Sequence, residues 1–123
     1  MKQCGYTATS HFQISKREEL GALFNRLGLL GNGAEIGVQA GAFSAVQRRS
    51  WQGKRLHLIG RWRHAEDYHD IANVSQPQQD RLYRSVIEKF SGDRIVTIYR
   101  LDSVEAASQF PDNFFDWIYL DAD

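Results

Sequence analysis

The chain has 123 residues, with 15 basic and 15 acidic side chains, so it is at most one domain and carries no net charge to draw it to nucleic acid or anionic lipid. Hydrophobic residues make up 42% and prolines number only two, a composition of folded domains that excludes a disordered segment. A lone cysteine, Cys4, excludes an intrachain disulfide framework and favours a reducing, cytoplasmic setting; no apolar run nears the ~20 residues of a membrane span, and the first residues lack the apolar middle of a signal peptide.

Residues 1–14 read as a mobile N-terminal segment. Ser15 and Glu18 then stand at capping-box spacing, and Leu20, Leu23, Phe24 and Leu27 fall on one helical face that Gly28 ends. A short apolar strand is expected over residues 34–38. It runs into a glycine turn, after which Ser44 and Gln47 form a second capping-box pattern opening a helix toward Trp51. Gly53 breaks that helix, and residues 55–59 ("RLHLI") read as the second strand. Residues 60–75 show no clean period and read as a long loop of the kind that carries function. Pro77 suits a helix start, and Leu82, Val86, Ile87 and Phe90 give this helix an apolar side before Gly92. Residues 94–99 are the third strand, Asp102 and Glu105 cap a short helix that Pro111 shuts off, and residues 114–120 ("FFDWIYL") are the fourth strand.

Strands alternating with helices give an α/β fold, a Rossmann-like parallel sheet with helices on both faces. Ligands of such sheets bind outside the carboxyl ends of the strands. The polar and glycine residues gather there: Gly37 to Ser44, Gly60, Asp102 with Ser103, and Asp121 with Asp123.

The first turn says which ligand to expect. A dinucleotide site wants G-x-G-x-x-G after the first strand, and Gln39 breaks that pattern. The Gly31-Asn32-Gly33 triplet lies ahead of the expected strand, and the Walker pattern is absent. What remains is Glu35-x-Gly37-x-x-x-Gly41-x-x-Ser44. A ligand with an ammonium and a carboxylate suits this better than a pyrophosphate: Glu35 answers the cation, and helix-start amides near Ser44 answer the anion. The alternative is an ordinary strand-to-helix turn with Glu35 merely paired.

The segments "AEIGVQAGAFSA", "LHLIG", "LDSVEAA" and "FFDWIYLDAD", in that order and at those intervals, resemble the class I S-adenosylmethionine-dependent methyltransferases, in particular the small-molecule O-methyltransferase-like members. The resemblance covers residues 15–123. It implies a sheet of order 3-2-1-4, with Glu35, Gly37 and Gly41 at the methionine part of the cofactor and Gln39, Phe43 and Ser44 among the other cofactor-binding residues. It also implies Gly60 at the ribose, Asp102 and Ser103 near the adenine, and Asp121 facing the methyl-transfer site.

Two departures stand out. The acidic residue usual at the end of the second strand, bonded to the ribose hydroxyls, is replaced by Gly60. Losing a charge-assisted bond of this kind costs ~1.5–3 kcal/mol, unless Glu66 or Asp67 reaches in from the loop. The second departure is that the family fold continues past its fourth strand, so residues 1–123 are expected to be one incomplete domain of a longer protein, or to complete the sheet with another copy across the open edge of the fourth strand.

Asp121 and Asp123 are candidate oxygen ligands for a divalent ion such as magnesium, against a reading as strand-end carboxylates. His64 and His69, with Glu66 and Asp67, lack H-E-x-x-H spacing and read as a solvated loop. His57 reads as a packed strand residue. Arg48 and Arg49 near a helix end are favoured by the helix dipole, which removes the need for a nucleic-acid partner. Three readings therefore stand: a methyltransferase acting on a small-molecule acceptor, a non-catalytic nucleotide-binding module, and a fragment that associates through its fourth strand.

Overall fold

A computed structural model describes residues 14–65 and 73–121; Cys4, Glu66, Asp67, His69, Asp123 and residues 1–13 of the N-terminal segment lie outside the described residues. A single 3-10 turn at Arg17–Glu19 leads into α1 (Leu20–Arg26), followed by β1 (Asn32–Ile36), α2 (Ala42–Ser50), β2 (Arg55–Gly60), α3 (Gln76–Lys89), β3 (Val96–Arg100), α4 (Ser103–Ala107) and β4 (Trp117–Leu120). The four strands form one parallel sheet in the order β3-β2-β1-β4. The α/β, Rossmann-like architecture and its 3-2-1-4 order are thus as the sequence predicts.

Residues alternate between the two faces of each strand. Glu35, Leu56, Leu58, Ile98 and Trp117 point toward α1, α2 and α3, where a core forms with Val38, Trp51, Trp62, Val86 and Phe90. Ala34, His57, Ile59 and Tyr99 point the other way, toward Ala106 of α4 and Phe110 and Phe115. The second face is thinly covered, and Ile118 and Leu120 of β4 are 54% and 64% exposed.

Several boundaries differ from the sequence reading, each for a local reason. β1 starts two residues early, because the glycine triplet belongs to the ladder: Asn32 pairs with Arg55, and Gly33 with both Leu56 and Trp117. A Cβ on Gly33 would fall inside the Trp117 indole, so glycine here lets the ring lie flat on the strand. β3 begins two residues later and ends one later, and β4 is shorter because Phe114 and Phe115 turn into an aromatic cluster with Phe110.

Neither of the first two capping boxes forms. α1 begins without a side-chain cap, and Ser15 N–H instead donates to Glu19, not Glu18, at 3.0 Å. α2 begins at Ala42, capped by Gly41 in the left-handed region (φ 84°), so Ser44 is already helical. The box at Asp102 and Glu105 does form, as does one at Ser75 and Gln78, which bracket Pro77. Gly28 (φ 74°) ends α1 in a Schellman motif, with Leu29 N–H donating to Phe24 C=O and Gly28 N–H to Asn25 C=O. Leu27 and Ile87, expected on apolar faces, are exposed; Gly21 and Gln79 are buried in their helices instead. Arg48 and Arg49 lie in the last turn of α2 as expected, and Arg48 pairs with Asp93 at 2.7 Å.

Candidate functional site

A cleft of about 320 Å³ opens at the carboxyl ends of the strands, within the usual range for small-molecule sites. It is lined by Ile36, Gly37, Val38 and Gln39 after β1, by Gly60, Arg61 and Trp62 at the end of β2, and by Leu101, Asp102 and Ser103 after β3. Asp121 after β4, with Asn73 and Gln79, completes the wall. The chain steps outward from β1 to β3 and then returns to β4 on the other side of β1. The cleft therefore spans the switch point where open α/β sheets take ligands.

The turn after β1 is held from beneath, because the Ile59 carbonyl accepts from both Gly37 N–H (2.8 Å) and Val38 N–H (3.0 Å). Gly37 has φ 100°, which a residue with a side chain rarely adopts. The backbone is bare where the cleft is entered.

Of the residues expected at a cofactor, Gly37, Gln39, Gly60, Asp102, Ser103 and Asp121 come together around this cleft. Glu35, Gly41, Phe43 and Ser44 are not part of its lining. A side chain on Gly41 would point at Val86 and Lys89 of α3. Phe43 is buried against Tyr119, with ring centroids 4.8 Å apart.

Glu35, only 4% exposed, accepts a 2.6 Å hydrogen bond from the Ser44 hydroxyl. This explains why Ser44 is no helix cap: its oxygen serves the carboxylate below. Burial raises the Glu35 pKa; the Ser44 bond works against that, Asp121 raises it further and Arg17 lowers it. On α2, the fully buried amide of Gln47 has no partner among the described residues.

Gly60 has a steric reason. A Cβ there would stand 2.6 Å from Val38 O and 2.8 Å from the Trp62 ring. Trp62, with φ 43°, folds back into the space a side chain at position 60 would need. Its indole N–H donates to Gln39 C=O at 2.9 Å, and its own carbonyl accepts from Gln76 and Arg100. Asp80 fixes both of those donors. Trp62 is the residue that sequence reading missed here, although a tryptophan two positions past a glycine-ended strand was its visible signal.

Asp102 is occupied as a cap. Its Oδ1 accepts from Glu105 N–H at 2.7 Å and its Oδ2 from Arg63 at 3.2 Å. The backbone bond and, after it, Arg63 hold its carboxyl below the ordinary value. Asp121 is fixed by donating its N–H to Ile36 C=O at 2.8 Å, and its side chain meets Arg17 at 3.3 Å. Among the described residues, no three metal-ligating side chains gather into a cage. His64 is tied to the neck of its loop through Val74 C=O, beside the paired Ala65 and Asn73. No helix among the described residues is long and apolar enough to cross a membrane.

Comparison of this chain with protein-family models, curated proteins and solved structures finds no match.

Proposed function

We propose that this chain is the cofactor-binding part of a class I S-adenosylmethionine-dependent methyltransferase that methylates a small molecule at oxygen. The observation that supports it best is the cleft at the β1–β4 switch point, entered over the bare Gly37 turn, with Asp102 at one end and Asp121 at the other. Bound there, S-adenosylmethionine supplies a methyl group made electrophilic by its sulfonium. The protein's own part is placement, which accounts for much of the acceleration of an in-line displacement. Gly37 and Gln39 offer backbone to the amino-acid end, Asp102 and Ser103 border the adenine end, and Asp121 stands beside the amino-acid group on the side where the acceptor enters. A base or a divalent cation such as magnesium at Asp121 enters only where the acceptor hydroxyl must lose its proton early. With Gly60 sealed by Trp62, the ribose lacks its usual carboxylate on β2, so affinity is expected to be about ten- to a hundredfold weaker than with that bond.

Calorimetric titration with S-adenosylhomocysteine, using NAD as control, tests the reading. Binding of the first alone, weakened tenfold or more by Gly37→Val, supports it. No binding by a demonstrably folded chain rejects it.

A second reading, a non-catalytic nucleotide-binding module, is favoured by Gly60 alone, and preference for another nucleotide would select it. The open edge of β4, with Ile118 and Leu120 exposed, supports self-association, which sedimentation at rising concentration would reveal. The lone Cys4 suits the cytoplasm.

A further inference from the structure

We infer that Arg17 reads the carboxylate of an amino-acid group bound over the β1–β4 junction, and so decides which adenosyl ligands the cleft prefers. This rests on the adenosyl-cofactor reading above.

Arg17 lies on the 3-10 turn ahead of α1, more than a hundred positions from β4. Even so, its guanidinium sits 4.5 Å from the centre of the Phe43 ring, 3.3 Å from Asp121 Oδ2 and 3.5 Å from the Tyr119 hydroxyl. The aromatic ring supports the flat cation, a geometry that fixes the plane of its donors. Both of its polar contacts among the described residues use Nη1 and are long, and the side chain remains 44% exposed. A guanidinium has five N–H donors in a fixed fork. Two long bonds through one nitrogen therefore do not use its capacity for a bidentate partner.

Asp121, which lines the cleft, stands beside it. One cation and one anion on the same lip match a zwitterion: the ligand carboxylate faces Arg17 and the ligand ammonium faces Asp121. The surrounding charges make Arg17 necessary. Glu35 lies beneath this end, close enough to feel both Asp121 and Arg17. Without Arg17, an incoming carboxylate would meet the carboxyls of Glu35 and Asp121 with no cation to offset them.

The test compares two probes on the full chain: S-adenosylhomocysteine, and 5′-methylthioadenosine, which is the same nucleoside without the amino-acid group. Wild type is expected to bind S-adenosylhomocysteine about tenfold tighter or more, the value of one charge-assisted pair at a partly exposed site. Arg17→Gln should remove most of that preference, leaving only the share that Asp121 and the Gly37 turn supply, and should leave 5′-methylthioadenosine binding unchanged. Arg17→Lys, which keeps the charge and loses the fork, should retain part of the preference. An Arg17→Gln protein that keeps the wild-type ratio overturns the inference. So does a wild type that binds both probes equally, a result that leaves the cofactor reading intact. A folded wild type that binds neither probe removes the cofactor reading, and the inference with it.

Discussion

Glu35 and His57 stand on neighbouring strands, both almost fully buried, on opposite faces of the sheet, and they are buried in opposite ways. His57, 3% exposed, is closed on itself. Asn32 Oδ1 lies 3.0 Å from Nε2, so that nitrogen carries the hydrogen, and Nδ1, 2.9 Å away, accepts from the Tyr99 hydroxyl. Phe110, Phe114 and Phe115 pack edge-on around the ring. Burial, helped by nearby Arg55, lowers its pKa to about 4. Every polar atom of the imidazole is used, so it serves the fold and has nothing left for chemistry. Glu35 instead has a single described donor, Ser44, and lies within electrostatic reach of Asp121, which lines the cleft, and of Arg17 beside it. Burial alone therefore does not mark a functional group. A buried group whose neighbours are charged and open to a cleft is a candidate for one.

The two faces can be set against each other within β4 itself. Trp117 is buried and stacks on Phe24 with centroids 4.6 Å apart, while the next residue, Ile118, is exposed. Trp117→Ala should cost ~3–5 kcal/mol and Ile118→Ala under about 0.5 kcal/mol, read by urea denaturation. Equal effects would mean that both faces of the strand are covered.

His57 should make stability pH-dependent. Its folded pKa of about 4 lies below the ordinary 6.5, so between those values the unfolded chain binds the proton and the folded chain does not. Its contribution is whole above about pH 6.5 and falls by up to about 3 kcal/mol as the pH drops toward 4. A His57→Asn protein should lose that slope, and a slope unchanged in the variant would remove His57 as its source.

Gly60→Ala should cost ~1–3 kcal/mol by overpacking and displace the Trp62 indole, seen as a shift in tryptophan emission. An unaltered spectrum with full stability would deny that Trp62 seals this end.

Glu35→Gln gives the smallest effect and sharpens the contrast with His57. The folded carboxyl has a raised pKa, so it holds its proton where the unfolded chain has lost it, and its contribution declines as pH rises through that raised value. The two groups thus slope in opposite directions. Replacing Glu35 should leave stability at pH 7 within about 1 kcal/mol of wild type or above it. It should also steepen the rise in stability with pH. A flatter profile would contradict the assignment.

The order of elements along the chain was open to sequence reading because period and punctuation are local properties; the 3-2-1-4 order of the strands came from the resemblance to a known family. The ladder limits were not legible. Asn32 and Gly33 belong to β1 because Arg55, Leu56 and Trp117 pair with them, which apolar character alone does not announce. The spacing of Ser44 and Gln47 is a genuine capping-box pattern, yet it cannot say whether the serine precedes the helix or sits inside it; Glu35, nine residues back, decides. The glycines and acids at the strand ends were legible for the same reason that the strands were. Arg17 was not, since its partners Tyr119 and Asp121 meet it only in three dimensions. Trp62 was passed over because its role depends on the space Gly60 leaves empty.

The most direct test of the cleft as an adenosyl-cofactor site is to follow backbone amide resonances while S-adenosylhomocysteine is added. The account predicts saturable shifts at Gly37, Gln39 and Ser103 and at the Trp62 indole, with the amides of the aromatic cluster around His57 unmoved. Shifts confined to that cluster or to β4's outer edge, or none at all in a folded chain, would contradict it.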